Sequence, residues 1–318
     1  MREERGGLPI LQTIVLTTVA MLAFAANSLL CRLALQQGAI DPASFSSIRL
    51  VSGAIALAVI VRFRSPPGRP KADAAPSGGS EDTQRRAWGL GSQRSSPGHA
   101  DWLAAAMLFA YVAFFSFAYL TLPAGTGALI LFGAVQLTMF SVGLRSGERF
   151  GTIAWFGLAL AVAGLVYLVS PGVAAPPLLG AALMAIAGVA WGVYSLRGRA
   201  VADPLAATAG NFARAAPLAL VLSLLFVAKA YANAAGVALA LVSGALTSGI
   251  GYVIWYAALS GLSALRAATV QLSVPLIAAF GGVVVLSEAI TPRLAAASVA
   301  ILGGIALVLT SRSQKPRP

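Results

Sequence analysis

Few side chains in this sequence can do chemistry, and most of them sit inside long apolar runs, where a polar group is costly unless it is paired or faces water. Arg49 and Arg214 are the sharpest pair, at the head of Arg49-Leu-Val-Ser-Gly and Arg214-Ala-Ala-Pro-Leu, and no acid lies within any apolar run to neutralise them. A guanidinium binds a carboxylate bidentately, so either could clamp an anionic group. The competing role is structural, with a long stem in the apolar layer and a charged head reaching the nearer interface. Arg49 lies close to the end of its run, which favours that second role; Arg214 lies deeper, where the two roles stand level.

Aromatic residues form the second constellation: Phe115 and Tyr119, then Trp191 and Tyr194, then Tyr252, Trp255 and Tyr256. Spacings of three and four put each set on one helical face. Such faces can wrap an apolar or aromatic ligand or hold a cation over a ring, although Trp and Tyr also collect at membrane interfaces. Trp191, Tyr194, Tyr252 and Trp255 are the preferred cavity residues. Asn27, Gln136, Asn211 and Gln271 complete the polar set, each able to bind a ligand or to tie helices together. Pro275 removes a backbone donor in mid-span, frees a carbonyl and permits a kink. Glu148 and Glu288 each precede a following helix, where a carboxylate complements the positive terminus; that capping role is preferred over proton coupling.

Several classes of chemistry have no residues to carry them. One histidine, His99, and one cysteine, Cys31, provide neither a metal ligand cluster nor an internal disulfide. No Gly-rich loop ends in Gly-Lys-Ser or Gly-Lys-Thr, so nothing suggests ATP hydrolysis. An integral membrane enzyme acting on a lipid would need clustered acids, a His pair or a metal site, and a non-transporting scaffold would not call for duplicated halves; both remain as alternatives to a carrier.

The elements that must position these side chains are membrane helices. Of 318 residues, 58% are hydrophobic and only 10% charged, against roughly 25% charged in soluble domains, and mean hydropathy is +0.84. A span needs about 20 apolar residues, which predicts ten helices with cores near 9–30, 44–61, 102–121, 124–144, 151–170, 178–196, 206–228, 238–260, 265–287 and 292–311. Cytoplasmic loops retain Lys and Arg. With the N-terminus inside, 16 of the 22 basic residues fall on the cytoplasmic side, only Arg32, Lys229 and Arg293 fall outside, and Arg49, Arg214 and Arg266 lie in or at the ends of spans. Both termini are therefore expected in the cytoplasm, in a multi-pass cell-membrane protein. The net charge of +12 is topological and does not signal nucleic acid. The polar segment 62–101 has too few apolar residues to form a core and reads as a disordered cytoplasmic loop. The N-terminal apolar stretch is expected to be retained, not cleaved, because Phe24 to Leu29 has a counterpart in Trp191 to Leu196.

The chain also repeats itself. Phe115 to Ser170 slides onto Trp255 to Thr310 at an offset of 140, pairing Ala118 with Ala258, Leu122 with Leu262, Phe140 with Phe280, Glu148 with Glu288 and Gly164 with Gly304. Five helices per half is odd, so the copy enters the membrane from the opposite side, and the fold is expected to be two inverted five-helix repeats, 1–172 and 173–318. Gly125 to Glu148, Ala264 to Glu288, Asp41-Pro42 to Arg49 and Asp203-Pro204 to Arg214 together resemble the drug/metabolite transporter superfamily, specifically its EamA-type members. One departure is that Pro275 has no counterpart in the first half, where Val135-Gln136 stands.

The resemblance implies a secondary transporter with a cavity between the halves, lined by the first four helices of each, while the fifth helices support or mediate contacts. It implies a small-molecule substrate such as an amino acid or related metabolite, with export the common direction. The expected partners are that substrate and the bilayer, with proton or ion coupling and a homodimer through Gly303-Gly304 both open, and no cofactor.

Overall fold

The computed structural model describes residues 10–64, 101–145, 150–198, 201, 203–259, 262 and 270–310. Glu148, His99 and most of segment 62–101 lie outside them. The described residues are helical apart from short connections: α1 (Ile10–Gln36), α2 (Pro42–Arg64), α3 (Trp102–Ala118), α4 (Ala124–Arg145), α5 (Thr152–Val169), α6 (Leu178–Gly198), α7 (Pro204–Leu225), α8, α9 (Ser273–Leu286) and α10 (Pro292–Thr310). Helix α8 runs as Ala234–Val242, a π-helical stretch Ser243–Ile250, and Gly251–Leu259. Among the described residues, eight helices are long and apolar enough to cross a membrane, and Trp102–Ala118 and Ser273–Leu286 are shorter apolar ones. Large apolar side chains point outward, among them Phe280, Leu224, Leu225 and Val299, as a bilayer solvent requires.

Helix starts follow local capping chemistry. Asp41 Oδ1 accepts from the backbone N–H groups of Ala43 and Ser44, and Asp203 Oδ1 from that of Ala206. In both cases proline follows, at a position whose missing N–H costs nothing. The Asp-Pro dipeptides shared by the halves are thus helix starts. Helix α1 continues to Gln36, well past the predicted core ending at 30, because no breaker intervenes before Gly38, which takes φ +59°. Arg32 consequently belongs to a helix and not to an outer loop. Helix α8 begins at Ala234, four residues before the expected core, under the cap of Asn233 on Gly236 N. Val270 and Gln271 are helical, Leu272 is a turn and α9 resumes at Ser273; Pro275 has no N–H to offer the Gln271 carbonyl four residues back, which accounts for the break.

Packing pairs α5 with α10, α3 with α6, α2 with α7, α4 with α6, α4 with α9, α1 with α8 and α9, and α3 with α7 as α2 with α8. Exchanging each helix of the first five with the one five places later leaves this pattern unchanged. Helices α5 and α10 meet backbone to backbone: a Cβ on Gly157 would stand 2.5 Å from Gly304 O, and one on Gly164 would stand 2.9 Å from Ile301 Cγ1. Gly304 is therefore occupied by α5 of its own chain, whereas Gly303 faces open space. Of the pair, only Gly303 is left open by the chain's own packing.

Candidate functional site

The middle of the bundle holds a continuous polar and aromatic cluster drawn from α1, α2, α3, α6 and α8. Asn27 on α1 is its hub: Nδ2 donates to Tyr111 OH at 3.3 Å, while Oδ1 accepts from Ser243 Oγ at 2.6 Å and Thr247 Oγ1 at 3.2 Å. Arg49 on α2 is fully buried. Its Nε donates to Ser248 Oγ and its Nη2 to Tyr111 OH, both at 3.1 Å, and its Cζ lies 5.2 Å and 5.1 Å from the ring centroids of Tyr111 and Phe115. The expectation that Arg49 snorkels to an interface is therefore corrected: partners from α3 and α8 hold its head inside.

The π-helical stretch of α8 makes this possible. A π turn shifts side chains off the α register, and Ser243, Thr247 and Ser248 all reach the Asn27–Arg49 network. The stretch lies directly on α2, since a Cβ on Gly244 would stand 2.8 Å from Arg49 Cα. Only glycine fits there.

Around this network the rings close a shell. Phe24 meets Trp191, Tyr252 and Trp255 edge to face at 6.2, 5.9 and 5.8 Å, and Trp191 packs on Tyr111 at 4.8 Å and Tyr252 at 5.1 Å. Between them lies a cavity lined by Phe24, Asn27, Ser28, Tyr111, Phe115, Leu131, Phe132, Trp191 and Tyr252, about 10 Å³ in volume, which is room for about one water molecule. The Tyr252 hydroxyl and Arg49 Nη1 are buried and find no hydrogen-bond partner among the described residues. What the cluster offers chemically is hydrogen-bond donors, a buried cation and aromatic faces.

The other sequence-predicted residues distribute around this centre. Trp255 packs on Phe24 one layer away. Tyr194 is buried beside Trp191 at 5.5 Å. Gln136 is buried one turn beyond Phe132, with Nε2 unpartnered. Asn211 and Gln271 are buried, and Pro275 is buried in the first turn of α9. Tyr119 lies apart, its hydroxyl donating to Ala124 O at 3.2 Å across the α3–α4 turn. Arg214, expected to be the deeper arginine, is only half-buried and folds back over Gly210 of its own helix. Tyr111, Ser243, Thr247 and Ser248 were not singled out, although Tyr111 extends the Phe115 and Tyr119 face by one turn and the three hydroxyls are polar groups within a span.

One end of the bundle is tied across the halves. Arg32 Nε pairs with Glu288 Oε1 at 3.1 Å, Arg32 Nη1 donates to Tyr119 O and Leu120 O, and Glu288 Oε2 accepts from Ala124 N at 2.7 Å. Glu288 does cap a helix, but it is α4 of the other half and not the following α10. At the same end Asp41 Oδ2 accepts from Tyr231 N and its own N–H donates to Tyr231 O, while Arg293 donates to the carbonyls of Leu168 and Ser170. At the opposite end Arg197 Nε pairs with Asp101 Oδ2 at 2.8 Å, with both side chains about a third exposed. Burial alone would raise Asp101, but Arg197 and the Ala104 N–H hold it below the usual carboxylate range.

Comparison with known proteins decides the lineage. The model of the EamA-like transporter family matches residues 178–310. The uncharacterized protein PA1977 of Pseudomonas aeruginosa is 49% identical over 305 residues, spanning 96% of this chain and 97% of its own. The chain belongs to the EamA-like transporter family. A solved crystal structure shares the fold at 18% identity, with a TM-score of 0.58 over 93% of this chain and 96% of its own. An EamA-like transporter of the drug/metabolite type is a multi-pass membrane protein whose partners are the bilayer and a small molecule. Members of the family are generally transporters and not enzymes.

Proposed function

We propose that this EamA-like chain is a secondary transporter that moves small metabolites such as amino acids or related compounds across the cytoplasmic membrane by alternating access, in the export direction. The observation that carries the reading is the small central cavity, lined by α1, α3, α4, α6 and α8 and closed to the size of a water. A permeation pore would be open throughout, whereas a carrier must enclose its substrate between steps.

Two relationships support a ten-span arrangement of inverted repeats. The principal helix pairs map onto one another when the halves are exchanged, and the α5–α10 contact is reciprocal at the sequence offset of 140: Gly164 lies on Ile301 as Gly304 lies on Ala161. With the N-terminus cytoplasmic, the Arg32–Glu288 end faces outward, closed by ties between the halves. The binding residues proposed are Asn27, Arg49, Trp191 and Tyr252, with Tyr194, Trp255, Gln136, Gln271 and Pro275 supporting the enclosure; Tyr119 and Arg214 are assigned to the outer turn and the α7 surface.

The test is counterflow in liposomes with a panel of radiolabelled amino acids and small organic acids, comparing the native protein with Trp191→Ala and Asn27→Ala. Saturable exchange weakened by both changes is the expected result. Exchange indifferent to both would relocate the site, and no exchange across the panel would overturn the carrier.

A further inference from the structure

We infer that the substrate is a net anion, a small carboxylate with a flat apolar body, and that Arg49 supplies the positive charge that neutralises it. This rests on the carrier reading and sharpens its substrate class.

The argument is one of donors left over. Arg49 is fully buried, yet both of its hydrogen-bond partners, Ser248 and Tyr111, are neutral hydroxyls. Its remaining contacts are the faces of Tyr111 and Phe115. A guanidinium cannot shed its proton, so a buried one without a counter-charge is held at high cost. Its Nη1 is buried and unpartnered.

The hydroxyls are biased the same way. Tyr111 OH accepts from both Asn27 and Arg49, which leaves its proton to be donated elsewhere, and Tyr111 lines the cavity. The Tyr252 hydroxyl, also on the cavity wall, makes no hydrogen bond of normal length among the described residues. The side-chain carbonyl suited to an ammonium, Asn27 Oδ1, already accepts from Ser243 and Thr247. The cavity wall therefore offers free donors backed by a cation, and its carbonyl acceptor is taken. A carboxylate satisfies that set: its oxygens accept from the tyrosines, and its charge offsets Arg49 once the rings part. The rings of Phe24, Trp191 and Phe115 supply flat apolar faces for the rest of the molecule.

The experiment uses four probes with one body and different charge: 3-phenylpropionate, 3-phenylpropionamide, phenylalanine and phenethylamine. Binding is read by tryptophan fluorescence of the full-length protein in lipid nanodiscs. The carboxylate is expected to bind about ten-fold or more tighter than the neutral amide. Arg49→Gln should reduce that ratio to about one, and Arg49→Lys, which keeps a charge but not the fork, should retain part of it. Should Arg49→Gln not yield a monodisperse protein, Tyr252→Phe carries the test: it should weaken the carboxylate about ten-fold or more, the worth of one hydrogen bond to a charged group, and leave the amide unchanged.

Equal binding of amide and carboxylate, tighter binding of phenylalanine or phenethylamine than of 3-phenylpropionate, an Arg49→Gln protein that keeps the ratio, or no binding of any probe overturns the inference. The carrier reading fails separately, through the absence of counterflow for the wider panel; a neutral or cationic compound that counterflows would leave the carrier standing and remove the anion.

Discussion

Glu288 and Ala124, 164 positions apart, tie the two halves at one end of the bundle: the carboxylate accepts from the Ala124 N–H at 2.7 Å and holds Arg32 at 3.1 Å with its other oxygen. The pair Arg32–Glu288 is largely buried, with 13% and 12% of the two side chains exposed. Glu288→Gln keeps an acceptor for the helix start but removes the charge facing Arg32. The expected loss is about 1.5–3 kcal/mol, the worth of a hydrogen bond to a charged group, or about 3–10 °C in apparent Tm for a chain of this size. Glu288→Ala, which also uncaps α4, should cost more. Thermal unfolding in detergent measures both, and an unchanged Tm in Glu288→Gln would contradict the role of the pair.

Cys31 sits beside Arg32 on α1, within reach of the charges of both Arg49 and Arg32, and is fully buried. Opening of this end would let water reach it. Because it is the chain's single cysteine, a membrane-impermeant maleimide added to whole cells or right-side-out vesicles reads that opening without engineering. Native protein should label slowly, and Arg32→Gln or Glu288→Gln should label about ten-fold faster, the factor expected for about 1.4 kcal/mol of lost closure. Labelling equally fast in all three would show that the tie does not seal the path to Arg49.

The extent to which these features were legible in the sequence follows from how far apart the partners lie. Helix starts at Pro42 and Pro204 were readable because capping is a local interaction within four residues. The expected end of α1 falls short because residues 31 to 37 contain no breaker, only Arg32, Gln36 and Gln37, which a hydropathy window discounts. Glu288 was assigned to the nearest helix start, and the rule behind that assignment knows nothing of Ala124. Arg49 lies deeper than its place in the sequence suggests: what buries it is Tyr111 from α3 and Ser248 from a π-helical turn, and neither register is written in the local pattern. Arg214 erred in the opposite sense, because depth along a helix does not say which face turns inward.

Asp101 caps α3 through Ala104 N at 2.9 Å and pairs with Arg197, so its two roles can be separated by substitution and pH. Asp101→Asn should retain the cap and lose only the half-exposed pair, within about 0.2–1 kcal/mol; Asp101→Ala should lose a further ~1 kcal/mol with the cap. The folded-state pKa of Asp101 lies below its ordinary value of 3.8, so the charge contributes stability above that value and loses it as pH falls through the lower, folded one. The gap between native and Asp101→Asn proteins should therefore be constant near neutral pH and shrink below about pH 4. A gap that widened on acidification would have the wrong sign for a depressed carboxylate.

Gly303 and Gly304 are neighbours with opposite surroundings, which makes them an internal control for the α5–α10 contact. A Cβ on Gly304 would press on the Gly157 carbonyl and stand 2.7 Å from Ala161 N, both backbone atoms that cannot rotate away. A Cβ on Gly303 would meet nothing within 4 Å. Gly304→Ala must push the two helices apart and should destabilise by about 1–3 kcal/mol, offset in part by the ~1 kcal/mol that alanine gains over glycine in a helix. Gly303→Ala has the gain without the clash and should be neutral to slightly stabilising. The same reasoning separates packing within the chain from packing between copies: if Gly303→Ala changed the oligomeric state by light scattering while Gly304→Ala changed only Tm, the exposed glycine would belong to an interface, and the buried one to the support that α5 and α10 give each other.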